Sequence, residues 1–195
     1  MTNMVSNSDK YAIISVVGIH ANEGIGHIFT RKIREARESG KTYWAYRSSL
    51  ADPKTVQEFG LMAEKEKSAA ACLFIEASSP RATKPTKGNE KALLFSLNKE
   101  AWNKIPDENL ITGSSSSSFA LVLDKIDLID GTSIDLWEYS QKDNPEKAVR
   151  IMLGNSTICC LKHPTGNGQP KMKSRYRKIL AIGRLAQPYG IWLKY

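Results

Sequence analysis

YAIISVVGIHANEGIGHIFTRKIREARESGKTYWAY, residues 11–46, is the stretch on which the fold turns. Tyr11 to Val17 is a continuous apolar run with the length of a buried strand. A glycine-containing turn, Gly18 to Gly26, follows it. Ile25, Ile28, Phe29, Ile33 and Ala36 then recur at helical spacing, which places Arg and Lys on the opposite, solvent face. Gly40 is a natural stop, because the residue just past a helix often takes left-handed backbone that glycine adopts without cost. Thr42 to Tyr46 is aromatic and β-forming, and reads as a second strand.

The pattern continues outward. Asp52-Pro53 marks a helix start, since Asp can accept from free amides and Pro suits the first helical position. Val56, Phe59 and Ala63 supply the buried stripe of that helix, and Ala71 to Ile75 is a third short strand. The order β-α-β-α-β over residues 11–77 calls for a parallel or mixed sheet covered by helices. Residues 91–195 differ, reading as strand after strand. Candidates are Lys91 to Leu97, Phe119 to Leu123, Ile134 to Tyr139, Ala148 to Leu153, Ser156 to Leu161, Ile179 to Leu185 and Ile191 to Leu193. Gln187-Pro188-Tyr189-Gly190 reads as the turn between the last two. The expectation is an α/β or α+β fold: a βαβαβ half and a mainly antiparallel half in one mixed-sheet domain, behind a loose tail at residues 1–10. The serine run before Phe119 and the Ser78 to Glu90 stretch, SSPRATKPTKGNE, read as loops.

Composition narrows the class. With 195 residues, 41% hydrophobic and 25% charged, the chain can bury a core of its own and is not a disordered one. No apolar run approaches the roughly 20 residues of a membrane span, so no membrane partner is expected. Met1 to Lys10 lacks the basic-then-apolar order of a secretory signal. Cys72, Cys159 and Cys160 are odd in number, two of them adjacent, without CxxC spacing. They fit neither a disulfide framework nor a zinc site, and read as small core residues of a reducing, cytoplasmic or nuclear compartment.

No complete catalytic signature is present, and no metal or cofactor is expected. The Gly18–Gly26 turn is neither a dinucleotide fingerprint nor a Walker A loop. It nonetheless joins a buried strand to a helix start, where free amides and the helix dipole suit phosphate. If the first three strands were parallel, Gly18, Gly24 and Gly26 would share one sheet edge with Ser48, Ser49, Ser78 and Arg81. This edge is a candidate anion site for a nucleotide or phosphorylated small molecule. The plainer alternative is a structural turn with glycines at positive φ. Two histidines and a glutamate, His20, Glu23 and His27, could bind a metal but fit no helical zincin spacing and read as loop residues, and Asp124, Asp127, Asp130, Asp135 and Glu138 read as a solvated acidic face. The four tryptophans, Trp44, Trp102, Trp137 and Trp192, read as packing residues.

Charge carries the sharpest signal. Residues 147–195 contain no acid and ten bases, and the total of +8 less these ten leaves −2 for residues 1–146. Such asymmetry points to an anionic partner, nucleic acid above all. The segment KHPTGNGQPKMKSRYRK, residues 162–178, concentrates Lys162, Lys171, Lys173, Arg175, Arg177 and Lys178 around Tyr176. Lys and Arg attract phosphate, and an interleaved aromatic can stack on an exposed base. The plain alternative is a solubilising basic loop. A non-catalytic nucleic-acid-binding protein is expected first, acting alone or as a subunit of a protein complex. An enzyme or sensor using the glycine turn comes second.

The cysteine reading is checkable without a structure. Thiol titration of the unfolded protein without reductant should count three free thiols; a count of one would mean a disulfide and overturn the reading.

Overall fold

The run at residues 11–17 forms strand β1 (Tyr11–Val17), buried along nearly its whole length. It sits in a computed structural model that describes residues 10–18, 24–46, 49–77, 110–111, 119–148, 157–162 and 176–193. Helix α1 (Ile25–Ser39), strand β2 (Thr42–Tyr46), helix α2 (Pro53–Lys65) and strand β3 (Ala71–Glu76) follow in the expected order. Beyond them come β4 (Leu110–Ile111), β5 (Phe119–Leu128), β6 (Ser133–Asp135), β7 (Tyr139–Gln141), β8 (Asn144–Ala148), β9 (Thr157–Lys162) and β10 (Tyr176–Leu193). One mixed sheet runs β2-β5-β10-β3-β1-β9-β7-β8, with β4 and β6 also paired to β10. Of the described pairs only β1 with β3 is parallel. The mixed-sheet α+β architecture read from the sequence is therefore the observed one.

Local chemistry explains both helices. Gly40 closes α1 in left-handed backbone at φ 77°. Asp52 opens α2, its carboxylate accepting from the amides of Lys54 and Thr55 at 2.9 and 3.2 Å, with Pro53 as the first helical residue. Each helix lays its apolar stripe on the same face of the sheet. There Phe29, Trp44 and Phe74 form an aromatic knot with ring centroids 4.3–5.5 Å apart, and Tyr11 meets Phe59 edge-on at 5.3 Å. Fully burying each such ring stabilises the fold by about 1.5–3 kcal/mol. The opposite face carries a second core of Ile14, Leu73, Ile75, Ile158 and Ile179, covered by Ile134, Leu136 and Tyr139. Cys159 joins the helix-side core and Cys160 the other, as strand alternation requires. All three cysteines are free and buried, and burial pushes the Cys160 thiol up to about 12.

Four expectations are corrected. Lys32 does not lie on the solvent face of α1: it is buried beside Glu35, its Nζ 2.7 Å from the carboxylate. Glu35 also accepts from Arg31 at 3.3 Å and from the Thr42 hydroxyl, tying α1 to β2. Burial is tolerated because the charge is paired and hydrogen-bonded. Residues 187–190 are not a turn between strands but an irregularity within β10, which continues through them to Leu193. Ile134 to Tyr139 is not one strand: a single 3-10 turn, Leu136–Glu138, separates β6 from β7, and the Asp135 carboxylate accepts from the Trp137 amide at 3.1 Å. Finally, β2 pairs antiparallel with β5, which is antiparallel to β10, itself antiparallel to β3; β2 thus runs against β1 and β3. Lys91–Leu97, Trp102, the serine run and most of Ala148–Leu153 lie outside the described residues.

The irregularity in β10 is held by α2. Tyr189 takes left-handed backbone at φ 66°, its hydroxyl donates to Glu64 at 2.9 Å, and Gln57 donates to the Gly190 carbonyl at 2.7 Å. Gly60 faces the Tyr189 ring so closely that a Cβ there would lie 2.5 Å from Cδ2. Alanine normally gains about 1 kcal/mol over glycine inside a helix. Here Gly60→Ala should instead destabilise by about 1–3 kcal/mol through overpacking, measured by urea denaturation; an unchanged or raised midpoint would show that the ring yields freely.

Candidate nucleic-acid interface

The end of the sheet where β10 begins is set by three neighbouring strands. Val17 pairs with Glu76 across β1 and β3, and the Ala77 amide donates to the Val17 carbonyl at 2.9 Å. Ile75 pairs with Ile179. Gly18, the start of the segment after Ala77, and the entry of β10 at Tyr176 therefore all belong to one end of the sheet. The first residue of the glycine turn and the last residues of the basic stretch thus share this end, whereas Lys162, where that stretch begins, lies beside Lys10 at the opposite end of β1. Ser49 does not. It follows β2, which points the other way, and the three-parallel-strand condition for a shared anion edge is not met.

Of the basic positions, the described ones are Lys162, Arg177 and Lys178, with Tyr176 among them; Lys171, Lys173 and Arg175 lie outside the described residues. Lys162 ends β9 partly buried, 3.7 Å from Glu138. Arg177 lies opposite Ile134, whose side chain is in the second core, so its own face is the inner one. Tyr176 and Lys178 alternate onto the outer, helix-bearing face. Tyr176 is 66% exposed, the most exposed large apolar residue described. Lys178 is exposed too, 3.6 Å from a fully solvated Asp130. Exposed pairs of this kind contribute little and are screened by salt, so the ammonium can exchange its partner for another anion.

Sequence reasoning missed one feature. The acids of β5 and the segment after it lie against the acid-free C-terminal strands: Asp124 pairs with Arg184 at 2.7 Å, Asp130 with Lys178, and Glu138 with Lys162. Acids read as a solvated face thus partly balance the basic strands. No local signal announces this, because it depends on the register of β10 against β5 and β6.

At the candidate anion positions, Ser48, Ser78 and Arg81 lie outside the described residues, as do His20, Glu23 and His163. Gly18 approaches Ala77, where a Cβ would make an ordinary contact at 3.7 Å. Gly24 starts α1 in extended backbone without a side-chain cap, and the first turn carries no acid. Neither Gly24 nor Gly26 has positive φ, and among the described residues no atom lies within 4 Å of a Cβ built on either. Among the described residues, neither backbone conformation nor packing requires glycine at these two positions. Among the described residues no group of three His, Cys, Asp or Glu side chains is placed to hold a metal, and no helix is long and apolar enough to cross a membrane.

In comparisons with known proteins, no family model, no curated protein and no solved structure matches this chain.

The two glycines offer a direct measurement. Gly26→Ala should stabilise the protein by about 0.4–1 kcal/mol, by restricting the unfolded chain at a position where the native backbone accepts a side chain. A loss of stability in thermal denaturation would show that the fold itself demands glycine there.

Proposed function

We propose that the protein binds nucleic acid through phosphate contacts at the end of the sheet where β10 begins. The observation that supports this best is the exposure of Tyr176 and Lys178 there, immediately after the Lys171, Lys173 and Arg175 stretch. The absence of any acid after Glu146 adds to it. Lys162, Lys178 and Arg184 each lie beside a carboxylate, so the reading leans also on Lys171, Lys173 and Arg175, which the sequence places directly before Tyr176. Nothing in this reading calls for a catalytic group, a metal or a cofactor.

Counterion release supplies the test. Binding to oligonucleotides should weaken linearly in log–log form as salt rises, with a slope that reports the phosphates met. Changing Lys173, Arg175 and Lys178 together to Ala should flatten that slope by up to about three units. Absence of binding at about 50 mM salt, where non-specific attraction is favoured, would remove the proposal.

A further inference from the structure

Alternation along β10 puts Tyr176 and Lys178 on one face and Arg177 and Ile179 on the other. The inward assignment is fixed independently, since Ile179 is fully buried in the second core and Ile134, opposite Arg177, belongs to the same core. The outer face also carries Leu128, which follows the helix-side core residue Ile126 by two positions on β5 and pairs with Ala181. Leu128 is 61% exposed, second only to Tyr176 among the large apolar side chains described. The helices cover neither residue. An aromatic ring, an ammonium and an aliphatic side chain thus follow one another along an open stretch of the β5–β6–β10 ribbon. Tyr176 and Lys178 are about 7 Å apart along the strand, two residues of rise.

A soluble fold hides apolar rings unless something uses them, although a single exposed one is ordinary. The ring follows directly on Lys171, Lys173 and Arg175 in sequence and is two residues from Lys178; although Asp135 is its cross-strand partner, these cations make an anionic as well as flat occupant the expected one. A base attached to its own phosphate has both properties. In a duplex the base faces are stacked on one another and closed to a side chain, whereas a single strand leaves them open. We infer that this face selects single-stranded nucleic acid, with a base stacked on Tyr176 and a neighbouring phosphate taking the place of Asp130 beside Lys178. The inference rests on the phosphate-binding reading above and narrows its ligand to single strands.

The experiment compares oligo(dT), a duplex of equal length and inorganic polyphosphate, titrated against wild type, Tyr176→Ala and Tyr176→Trp at fixed salt. Tyr176→Ala should lose roughly 5- to 150-fold in affinity for oligo(dT), the range measured for one stacked base. It should leave the salt slope, polyphosphate binding and the melting temperature unchanged, because the ring is exposed and releases no ions. Tyr176→Trp should keep the affinity, and the duplex should bind more weakly than oligo(dT). Equal binding of oligo(dT) by wild type and Tyr176→Ala would overturn the stacking inference while leaving salt-dependent phosphate binding in place. Failure of wild type to bind any of the three polyanions would overturn both.

Discussion

Strand β10 has eighteen residues whose backbone donors and acceptors must be satisfied along two edges, and most of the molecule is arranged to do so. One edge pairs with β3 over Ile179 to Arg184; the other pairs with β5 and then with β6. β4 takes the last residues, Trp192 and Leu193. β3 occupies only part of one edge, and beyond it Tyr176 and Lys178, among the first residues of β10, are exposed. An irregular stretch in so long a strand leaves backbone groups in search of partners. Gln57, Lys41 and the Gly60–Tyr189 contact answer for residues 187–190, with Lys41 donating to the Gln187 carbonyl at 2.8 Å. Helix α2 is therefore committed twice, to the core through Val56 and Phe59, and to β10 through its glycine.

The same ladder decides the electrostatics. Antiparallel pairing of β10 with β5 brings Arg184 beside Asp124, and the turn after β5 brings Asp130 to Lys178. An acid-free sequence thereby becomes a surface on which Lys178 and Arg184 are matched by acids from β5 and the turn after it. The buried Lys32–Glu35 pair is a separate case. Its members are both buried on α1, where each needs the other, and the Thr42 hydroxyl donating to Glu35 links α1 to β2.

The elements of the first half were legible because their signals are local. Asp52-Pro53, Gly40 and the 3.6-residue stripes act within a few residues of themselves, and each helix lies where they placed it. Of the later strands, Phe119–Leu123, Ser156–Leu161 and Ile179–Leu185 were legible as strands but not as partners. Gln187-Pro188-Tyr189-Gly190 has turn composition, yet it forms an irregular stretch within β10 rather than a reversal: pairing with β5 resumes at Gly190, whose carbonyl accepts from Gln57 of α2. The candidate site was half legible. The basic run and Tyr176 are plain in the sequence, whereas the burial of Lys32 and the neutralising role of Asp124, Asp130 and Glu138 are not.

By itself the sequence determined the βαβαβ order, the helix boundaries and the basic character of the C-terminal quarter. These depend on periodicity, capping and composition, which are properties of short stretches. Only the tertiary structure decided that β2 runs against β1 and β3, which acids meet which bases, and which face of β10 is left open. Those outcomes depend on strand register. A shift of one residue would turn every side chain to the other face, and no local preference chooses between the two.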